Sequence, residues 1–265
     1  MPPTAHDTRI IEQFTRQAEQ FARHPIHSEP EAMARLFRAA MVGPETRVLD
    51  VACGPGIVAC AVARYAARVT GIDLTPAMIA QARKRQDREG LMNVEWRVGD
   101  ATGLPFTDRT FDVVLTRYSF HHMTEPVLAL GEMRRVCRPG GRLVVTDATP
   151  SAEAQARYNR LERLRDPSHT SALTLDQLRA LGRENALSEA VIDGYGLEAR
   201  LDTIAYGRGI SRIAELLESD IATGEDRTGL APQRRTDGLW IRFPISIVAW
   251  VVPPDQPPGR PAQVT

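Results

Sequence analysis

The sequence predicts an α/β fold in which helices cover both faces of a parallel sheet. Three observations support this prediction. Strand-like apolar runs alternate with helical patterns as far as residue 147. A glycine-rich turn, Gly54-Pro55-Gly56, joins the first apolar run to a helical segment, and a second run leads to Asp73, 17 positions after Gly56. A carboxylate about 20 residues after such a turn is placed to accept hydrogen bonds from ribose hydroxyls.

The first strand and its turn occupy residues 47–56, with the sequence RVLDVACGPG. Gly54 and Gly56 have no Cβ, so a ligand can approach the backbone and positive φ angles are allowed. The segment 57–67 has the pattern of a helix. Its N-terminus would offer unpaired N–H groups to a ligand. A buried strand, a tight turn and a helix opening together predict a nucleotide-binding site.

Two ligands compete for this site, namely NAD and S-adenosylmethionine. A dinucleotide motif has the spacing G-x-G-x-x-G, and Ala59 stands here at its third glycine, a change that the motif sometimes allows. Asp50, four residues before Gly54, would repel a pyrophosphate and would suit an ammonium group. S-adenosylmethionine carries an ammonium, a ribose and no phosphate, so Asp50 and Asp73 favour it over NAD. A similar turn with another ligand, or with none, remains the alternative.

The pattern D-x-x-x-G-x-G with a downstream acidic residue resembles the class I S-adenosylmethionine-dependent methyltransferases. Residues 99–114 (GDATGLPFTDRTFDVV) and 138–141 (RPGG) are similar to the small-molecule, type 11-like branch of that family, which includes the ubiquinone and menaquinone C-methyltransferases. The resemblance covers about residues 47–147. It implies a Rossmann-like sheet of seven mostly parallel strands, with helices on both faces and an antiparallel last strand.

The resemblance also implies a division of the chain. Residues 1–43 read as two helices that fold over the cofactor as a lid, with packing against the core as the alternative. Residues 44–252 would form the methyltransferase domain, in which 149–238 includes the region that selects the acceptor. Residues 253–265 contain four prolines and little apolar content, so a disordered tail is expected.

The resemblance assigns cofactor contacts to several positions. Leu74 and Met78 would enclose the adenine, while the Asp100 carboxylate and the Ala101 N–H would bond its ring edge. An exposed turn aspartate is the alternative for Asp100. The backbone around Arg117, at the end of the fourth strand, would hold the methionine amino group. The residues expected to contact the cofactor are Phe14, Gln17, Asp50, Ala52, Gly54, Gly56, Asp73, Leu74, Met78, Asp100, Ala101 and Arg117.

Three histidines are candidates for a general base, because imidazole titrates near neutrality. They are His121 and His122, just beyond the fourth strand, and His169, in the polar loop 165–169. His121 and His122 are adjacent, so their side chains point in different directions. The alternative is that one bonds the turn and the other packs on the next helix. Tyr118 is a comparable candidate for orienting the substrate.

Composition limits the partners. Lys+Arg and Asp+Glu are both 33, so the net charge is zero, which argues against a general electrostatic grip on nucleic acid. Residues 117–120 read RYSF, where many nucleic-acid methyltransferases carry an N/D-P-P-Y/F tetrapeptide. No apolar run approaches the roughly 20 residues of a membrane span. We therefore expect a small-molecule acceptor, no nucleic acid and no membrane span. The oligomeric state is open, with a homodimer as one expectation.

The cysteines and the N-terminal segment indicate the cellular compartment in which the protein is expected. Cys53, Cys60 and Cys137 are odd in number and form no C-x-x-C pair, which indicates reduced thiols and no metal site. The N-terminal segment lacks the apolar core of a signal peptide. A cytoplasmic location is expected.

Methyl transfer from S-adenosylmethionine to a small organic acceptor is the predicted function, and the methylated atom (C, O or N) is not fixed. Two alternatives remain. One is a protein that binds S-adenosylmethionine without transferring its methyl group, since a fold does not determine function. The other, an NAD-binding oxidoreductase, is disfavoured by Asp50.

Overall fold

The computed structural model describes residues 4–205 and 209–254. Eight strands form one mixed sheet. The strands are β1 (Arg47–Val51), β2 (Arg68–Asp73), β3 (Val94–Val98), β4 (Phe111–Arg117), β5 (Cys137–Ala148), β6 (Ser188–Arg200), β7 (Gln233–Arg235) and β8 (Gly238–Val251). The described helices are α1 (Ala5–Arg23), α2 (Pro30–Ala40), α3 (Ile57–Ala63), α4 (Pro76–Glu89), α5 (Pro126–Val136), α6 (Gln155–Arg165), α7 (Leu175–Glu184), α8 (Leu201–Ile204) and α9 (Ile210–Thr223), with 3₁₀ turns at Pro25–Ser28 and Phe120–His122.

The strand order is β3-β2-β1-β4-β5-β8-β6, and β7 pairs with β8. Strands β1 to β5 are parallel to their neighbours, whereas β8 runs antiparallel to both β5 and β6. The predicted mostly parallel sheet with an antiparallel last strand is therefore confirmed. The order reverses between β1 and β4, and a ligand-binding crevice is expected at the carboxyl ends of these strands.

Successive side chains of each central strand point to opposite faces of the sheet, and each face carries an apolar layer. Val48 and Val113 face one layer, which α2, α3 and α4 cover. Leu49 and Val114 face the opposite layer, which α5 and α7 cover. A third cluster lies where α6, α8 and α9 pack on the ends of β6 and β8, around Tyr158. Because both faces of the central strands are buried, their sequences are almost continuously apolar.

Helix α3 is shorter than the sequence pattern predicts, and Thr75 does not cap α4. Helix α3 ends at Ala63 rather than near residue 67. The Thr75 side chain makes no capping hydrogen bond to α4, and its Oγ1 atom is buried without a partner among the described residues. The reason is that the Asp73 carboxylate accepts the Thr75 N–H at 2.8 Å and holds the turn instead.

The segment 222–238 contains β7, which forms a hairpin with β8. Two hydrogen bonds from backbone N–H groups hold the segment that leads into this hairpin. The Thr228 N–H donates to the Asp220 carboxylate at 2.8 Å, and the Arg242 N–H donates to the Leu230 carbonyl at 2.7 Å. The predicted disordered tail falls, from residue 255 onward, outside the described residues. Within residues 4–205 and 209–254, no helix has the length and apolar character needed to cross a membrane.

Candidate active site

A cavity of about 750 Å³ lies at the carboxyl ends of the parallel strands, with α1 along one side. Its size is in the usual range for sites that enclose a small molecule. The predicted residues that line it are Phe14, Gln17, Asp50, Ala52, Gly54, Asp73, Leu74, Met78, Asp100, Ala101, Arg117, His121 and His122. Gly56 and His169 do not line it. Residues drawn from five segments of the chain thus meet at one site.

Asp73 is held at the tip of β2 by the glycine turn. Its carboxylate accepts the Gly54 N–H at 2.8 Å through one oxygen and the Thr75 N–H at 2.8 Å through the other. Burial raises the pKa of Asp73, and these backbone donors oppose the shift. Each oxygen keeps a further lone pair, so the carboxylate can also accept from a ribose hydroxyl.

The two glycines of the turn have different roles. Gly54 has φ +53° and no atom within 4 Å of the place a Cβ would take, so the backbone lies open beside the cavity. At Gly56, φ is +75° and a Cβ would lie 2.6 Å from the Trp96 ring and 2.9 Å from the Ala82 Cβ. The structure therefore corrects the cofactor contact expected for Gly56, because this glycine allows α3 to begin against β3 and α4.

The hydrogen bonding of the Asp50 carboxylate is incomplete. The residue is 2% exposed, and its Oδ2 atom has no hydrogen-bond partner among the described residues. Burial raises the pKa of Asp50 to about 7, although the positive charge of Arg117 lowers it. A buried carboxylate oxygen without a partner is destabilising unless a donor reaches it. The ammonium group of S-adenosylmethionine would be such a donor, so the residues present fit this cofactor.

The opposite end of the cavity fits an adenine. Leu74 and the buried Met78 lie beside Asp73, and Asp100 and Ala101 lie at the end of β3. The Asp100 Oδ1 atom accepts the Thr102 N–H at 2.9 Å, which orients the exposed carboxylate. An apolar pair next to a carboxylate and a backbone N–H has the polarity that an adenine ring needs.

Arg117 connects β4 to the N-terminal segment. Its guanidinium donates to the His27 carbonyl, lies 3.3 Å from the Met33 Sδ and sits 4.8 Å from the centre of the Tyr118 ring. His27 stacks on Phe21 of α1, with ring centres 3.8 Å apart. Burial and the charge of Arg117 lower the pKa of His27 to about 3, so this imidazole is neutral.

His121 and Asp147 form a hydrogen-bonded pair on the cavity wall. The His121 Nδ1 atom lies 2.5 Å from Asp147 Oδ1, and the His121 backbone N–H donates to Asp147 Oδ2 at 3.2 Å. Burial lowers the pKa of His121, but the charge and hydrogen bond of Asp147 outweigh it and the net shift is upward. With Nδ1 bonded to the carboxylate, Nε2 is the nitrogen left to accept a proton.

His122 packs against the N-terminal helix. Its ring meets Phe14 edge to face at 5.1 Å, and its Nδ1 lies 3.1 Å from the Ser168 hydroxyl. Burial and the neighbouring charge of His121 lower the pKa of His122 to about 4. These contacts give His122 a packing role and favour His121 as the base.

His169 lies behind His121. Its Nε2 is 2.7 Å from Asn159 Oδ1, and its ring stacks near the His121 ring with centres 5.4 Å apart. Burial and the charge of His121 lower the pKa of His169 to about 2. Because His169 does not line the cavity, its position argues against the predicted base role.

Hydrogen bonds to residues distant in sequence hold α1 across the cavity. The Gln13 side chain donates to Asp166 Oδ1 at 3.1 Å, and both residues are buried. The His6 Nε2 atom lies 2.7 Å from the His122 carbonyl oxygen, and the Arg85 guanidinium donates to the Ala22 carbonyl at 2.8 Å. These contacts bring Phe14 and Gln17 to the cavity wall.

Two groups of cavity residues were not among the site residues predicted from the sequence. Asp147 ends β5 beside the end of β4, so strand adjacency was the signal that could have paired it with His121. Tyr158, Glu162 and Arg165 lie one or two turns apart on α6 and all line the cavity. An apolar wall faces them, formed by Leu197, Ile204, Phe243 and Ile245.

The site geometry agrees with comparisons to known proteins. Residues 49–145 match a family described as a methyltransferase domain. The chain is 31% identical over 192 residues to the uncharacterized methyltransferase YcgJ of Bacillus subtilis, covering 72% of this chain and 76% of that protein. It is 36% identical over 135 residues to the ubiquinone/menaquinone biosynthesis C-methyltransferase UbiE of Roseobacter denitrificans, covering 47% of this chain and 54%, or about half, of that protein.

The crystal structure of YcgJ from Bacillus subtilis superposes with a TM-score of 0.72 at 26% identity, over 85% of this chain and 99% of that chain. The sequence match to YcgJ and this superposition both extend well beyond the cofactor motifs. The carboxylates at the ends of β1 and β2 and the absence of a complete dinucleotide motif agree with the same assignment. The chain therefore belongs to the S-adenosylmethionine-dependent methyltransferases and is an enzyme of methyl transfer.

Proposed function

We propose that this methyltransferase acts on a small organic acceptor whose proton is removed by His121. One observation carries the proposal: the His121–Asp147 pair lines the same cavity as Asp50 and Asp73. The similarity to UbiE, a C-methyltransferase of ubiquinone and menaquinone biosynthesis, supports a small organic acceptor. The balanced net charge supports the absence of a nucleic-acid partner.

The cofactor end would be held by carboxylates, backbone and apolar side chains. Asp73 would accept from the ribose, Asp50 would pair with the ammonium, and Gly54 would let the backbone come close. Leu74, Met78, Asp100 and Ala101 would enclose the adenine, with Ala52, Arg117, Phe14 and Gln17 along the remaining wall. When bound, the sulfonium supplies an already reactive methyl group, so the protein needs no chemistry of its own for activation.

The acceptor end would supply proton transfer and orientation. His121 Nε2 would accept the proton of an acceptor hydroxyl, amine or enol, while Asp147 fixes the ring and stabilises the imidazolium that forms. The general acid–base contribution of a positioned side chain is about 10²–10⁴-fold. Holding the nucleophile in line is the larger requirement of the reaction.

Residues 1–43 would act as a lid that excludes water from the cavity. The buried Gln13–Asp166 hydrogen bond supports this role, because it joins α1 to the loop that follows α6. Substrates would enter when this contact opens, and closure would remove water from the reacting groups. The three described cysteines are free and buried, which supports a reducing, cytoplasmic location.

The test is a calorimetric titration with S-adenosylmethionine, S-adenosylhomocysteine and NAD, followed by detection of S-adenosylhomocysteine during turnover. We expect both adenosyl ligands to bind, NAD to bind far more weakly, and Asp73→Asn to lose at least about tenfold in affinity. Asp87→Asn, an exposed change on α4, is the matched control. Tight NAD binding would contradict the proposal. Binding of S-adenosylmethionine without S-adenosylhomocysteine formation across an acceptor panel would favour a protein that uses the cofactor without methyl transfer.

A further inference from the structure

One face of α6 is directed into the cavity beyond the His121–Asp147 pair. Tyr158, Glu162 and Arg165 follow one another at spacings of four and three residues, which places them on the same side of a helix. All three line the cavity. None of them is among the residues expected to hold the cofactor, so this face is available to the acceptor.

The Tyr158 hydroxyl has no hydrogen bond within residues 4–205 and 209–254, although the residue is only 1% exposed. The hydroxyl oxygen is not one of the fully buried polar atoms that lack a partner, so a ligand in the cavity that Tyr158 lines can reach it. Burial keeps the pKa of Tyr158 well above its ordinary value, so the group is a neutral donor at physiological pH. A ligand oxygen in the cavity would satisfy it.

Arg165 provides a second donor at the same place. Its Nε and Nη2 atoms bond the Glu162 carboxylate at 3.1 Å and 2.6 Å, and the Glu162 side chain is 3% exposed. In the described part of the chain, the Arg165 Nη1 atom has no hydrogen bond. Because Glu162 already balances the guanidinium charge, this end of the cavity offers N–H and O–H donors without net positive charge.

The base and Tyr158 lie at the same end of the cavity. Both rings flank the buried His169, whose ring centre is 5.4 Å from that of His121 and 6.5 Å from that of Tyr158. Asp147 and Asp166 also line this region, so an anionic ligand group would meet two carboxylates there. The facing wall, with Phe243 and Ile245, suits a hydrocarbon skeleton.

We propose that Tyr158 and the Arg165 Nη1 atom bind an uncharged oxygen of the acceptor. The acceptor is then an apolar ring compound with two oxygen functions, an ionisable hydroxyl that faces His121 and a carbonyl that faces α6. Hydroxyaryl ketones are the simplest members of this class. The inference rests on the proposed function, because it places the acceptor against the base assigned there.

The first test determines whether the Tyr158 hydroxyl stabilises the folded protein or binds a ligand. Tyr158→Phe is compared with Tyr195→Phe in thermal unfolding without ligands, because the Tyr195 hydroxyl has a protein partner, Tyr118, at 2.6 Å. We expect Tyr195→Phe to lower the Tm and Tyr158→Phe to leave it unchanged or raise it. A loss in Tyr158→Phe equal to that in Tyr195→Phe would assign the hydroxyl a structural role and overturn the inference.

The second test titrates the protein with 2-hydroxyacetophenone and 4-hydroxyacetophenone in the presence of S-adenosylhomocysteine. Salicylate and 4-hydroxybenzoate, with the same ring and a carboxylate, are the matched probes. We expect the ketones to bind better than the carboxylates, and Tyr158→Phe to weaken ketone binding by about tenfold. Tighter binding of the carboxylates, equal ketone binding by the variant, or no ketone binding to the unmodified protein would overturn the inference.

The affinity for S-adenosylhomocysteine, measured on the same preparations, distinguishes a failure of the α6 role from a failure of the proposed function. Intact S-adenosylhomocysteine binding with an unchanged ketone affinity in Tyr158→Phe rejects only the role of α6. Absence of S-adenosylhomocysteine binding to the unmodified protein rejects the proposed function. A double variant, Glu162→Gln with Arg165→Gln, removes the ion pair without leaving one buried charge alone, and it should also weaken ketone binding.

Discussion

The His121 Nδ1 atom lies 2.5 Å from the Asp147 Oδ1 atom across the ends of two neighbouring strands. Strands β4 and β5 are parallel and in register, with Arg117 opposite Thr146, so the residues that follow them emerge side by side. The carboxylate also accepts the His121 backbone N–H, which fixes the loop as well as the ring. This double contact sets which nitrogen faces the cavity.

The pH dependence of turnover should report this pair. The pKa of His121 is raised, and the protonated ring cannot accept a proton, so kcat should fall as the pH drops through a value above 6.5. Asp147→Asn removes the opposing charge but keeps the burial, which should lower this pKa and move the acid limb to lower pH. Release of S-adenosylhomocysteine, followed across the pH range, measures both effects.

His121→Gln and His122→Gln are a matched pair for the same question. We expect His121→Gln to lower kcat by about 10²–10⁴-fold with little change in cofactor affinity. His122→Gln should keep the acid limb in place, because His122 packs against Phe14 and its lowered pKa leaves it neutral. A loss of turnover confined to the His122 variant would show that the base has been assigned to the wrong histidine.

Cofactor affinity should depend on the ionisation of Asp50. Its pKa is raised to about 7 by burial, so the carboxylate is neutral below that pH and charged above it. Only the charged form attracts an ammonium, and the affinity for S-adenosylhomocysteine should fall by up to about tenfold per pH unit below pH 7. Asp50→Asn should bind weakly and show a flatter profile in calorimetric titrations.

Methylthioadenosine is the control ligand for that experiment, because it retains the adenosine and lacks the amino acid. Its affinity should respond only to groups that contact the nucleoside, including Asp73, whose pKa burial also raises. If both ligands show the same pH profile, the ammonium does not pair with Asp50.

Alanine substitutions at the two glycines of the turn should affect different properties, namely stability at Gly56 and cofactor binding at Gly54. Gly56→Ala places a Cβ 2.6 Å from the Trp96 ring at a positive φ, and it should lower the free energy of unfolding by about 1–3 kcal/mol. Gly54→Ala meets no protein atom and costs only about 1–2 kcal/mol of backbone strain, but it should weaken cofactor binding. Urea unfolding and calorimetry on both variants test this contrast. Weaker binding by Gly56→Ala at unchanged stability would contradict the packing role of Gly56.

The closure of α1 can be tested at its buried anchor. Gln13→Leu keeps the volume and removes the hydrogen bond to Asp166, so the α1 amides should exchange about fivefold faster, which corresponds to about 1 kcal/mol. Glu12→Gln, an exposed change on the same helix, should leave exchange unaltered. Equal exchange in the Gln13 variant and the unmodified protein would show that this contact does not hold the helix closed.

Local sequence signals predicted the parallel sheet well, because each element carries its own evidence. The apolar run before Gly54 and the carboxylate of Asp73 are close in sequence and belong to one strand–helix–strand unit, β1–α3–β2. The capping box of α7, with Thr174 and Gln177, is another feature that only neighbouring residues define. Such features need only a few neighbouring residues to be recognised.

Features that depend on tertiary contacts were missed or misplaced. Gln13 and Asp166 are 153 residues apart, and nothing near either one indicates the other. His169 lies in a polar loop, as a catalytic histidine often does, but its position behind His121 depends on its contact with Asn159 of α6, and the local sequence does not indicate that contact. Gly56 looked like a ligand contact, since a missing Cβ serves tight packing and ligand approach equally well.

The order of the cavity residues along the chain determines which parts of the cavity can be exchanged or can diverge separately. Asp50, Asp73 and Asp100 all precede Arg117, whereas Asp147, Tyr158 and Phe243, which we propose to face the acceptor, all follow it. A recombinant chimera joined after β4 would therefore exchange the second half of the cavity while inheriting the first half intact. Divergence in the second half alone can yield enzymes that share one methyl donor and differ in the compounds they modify.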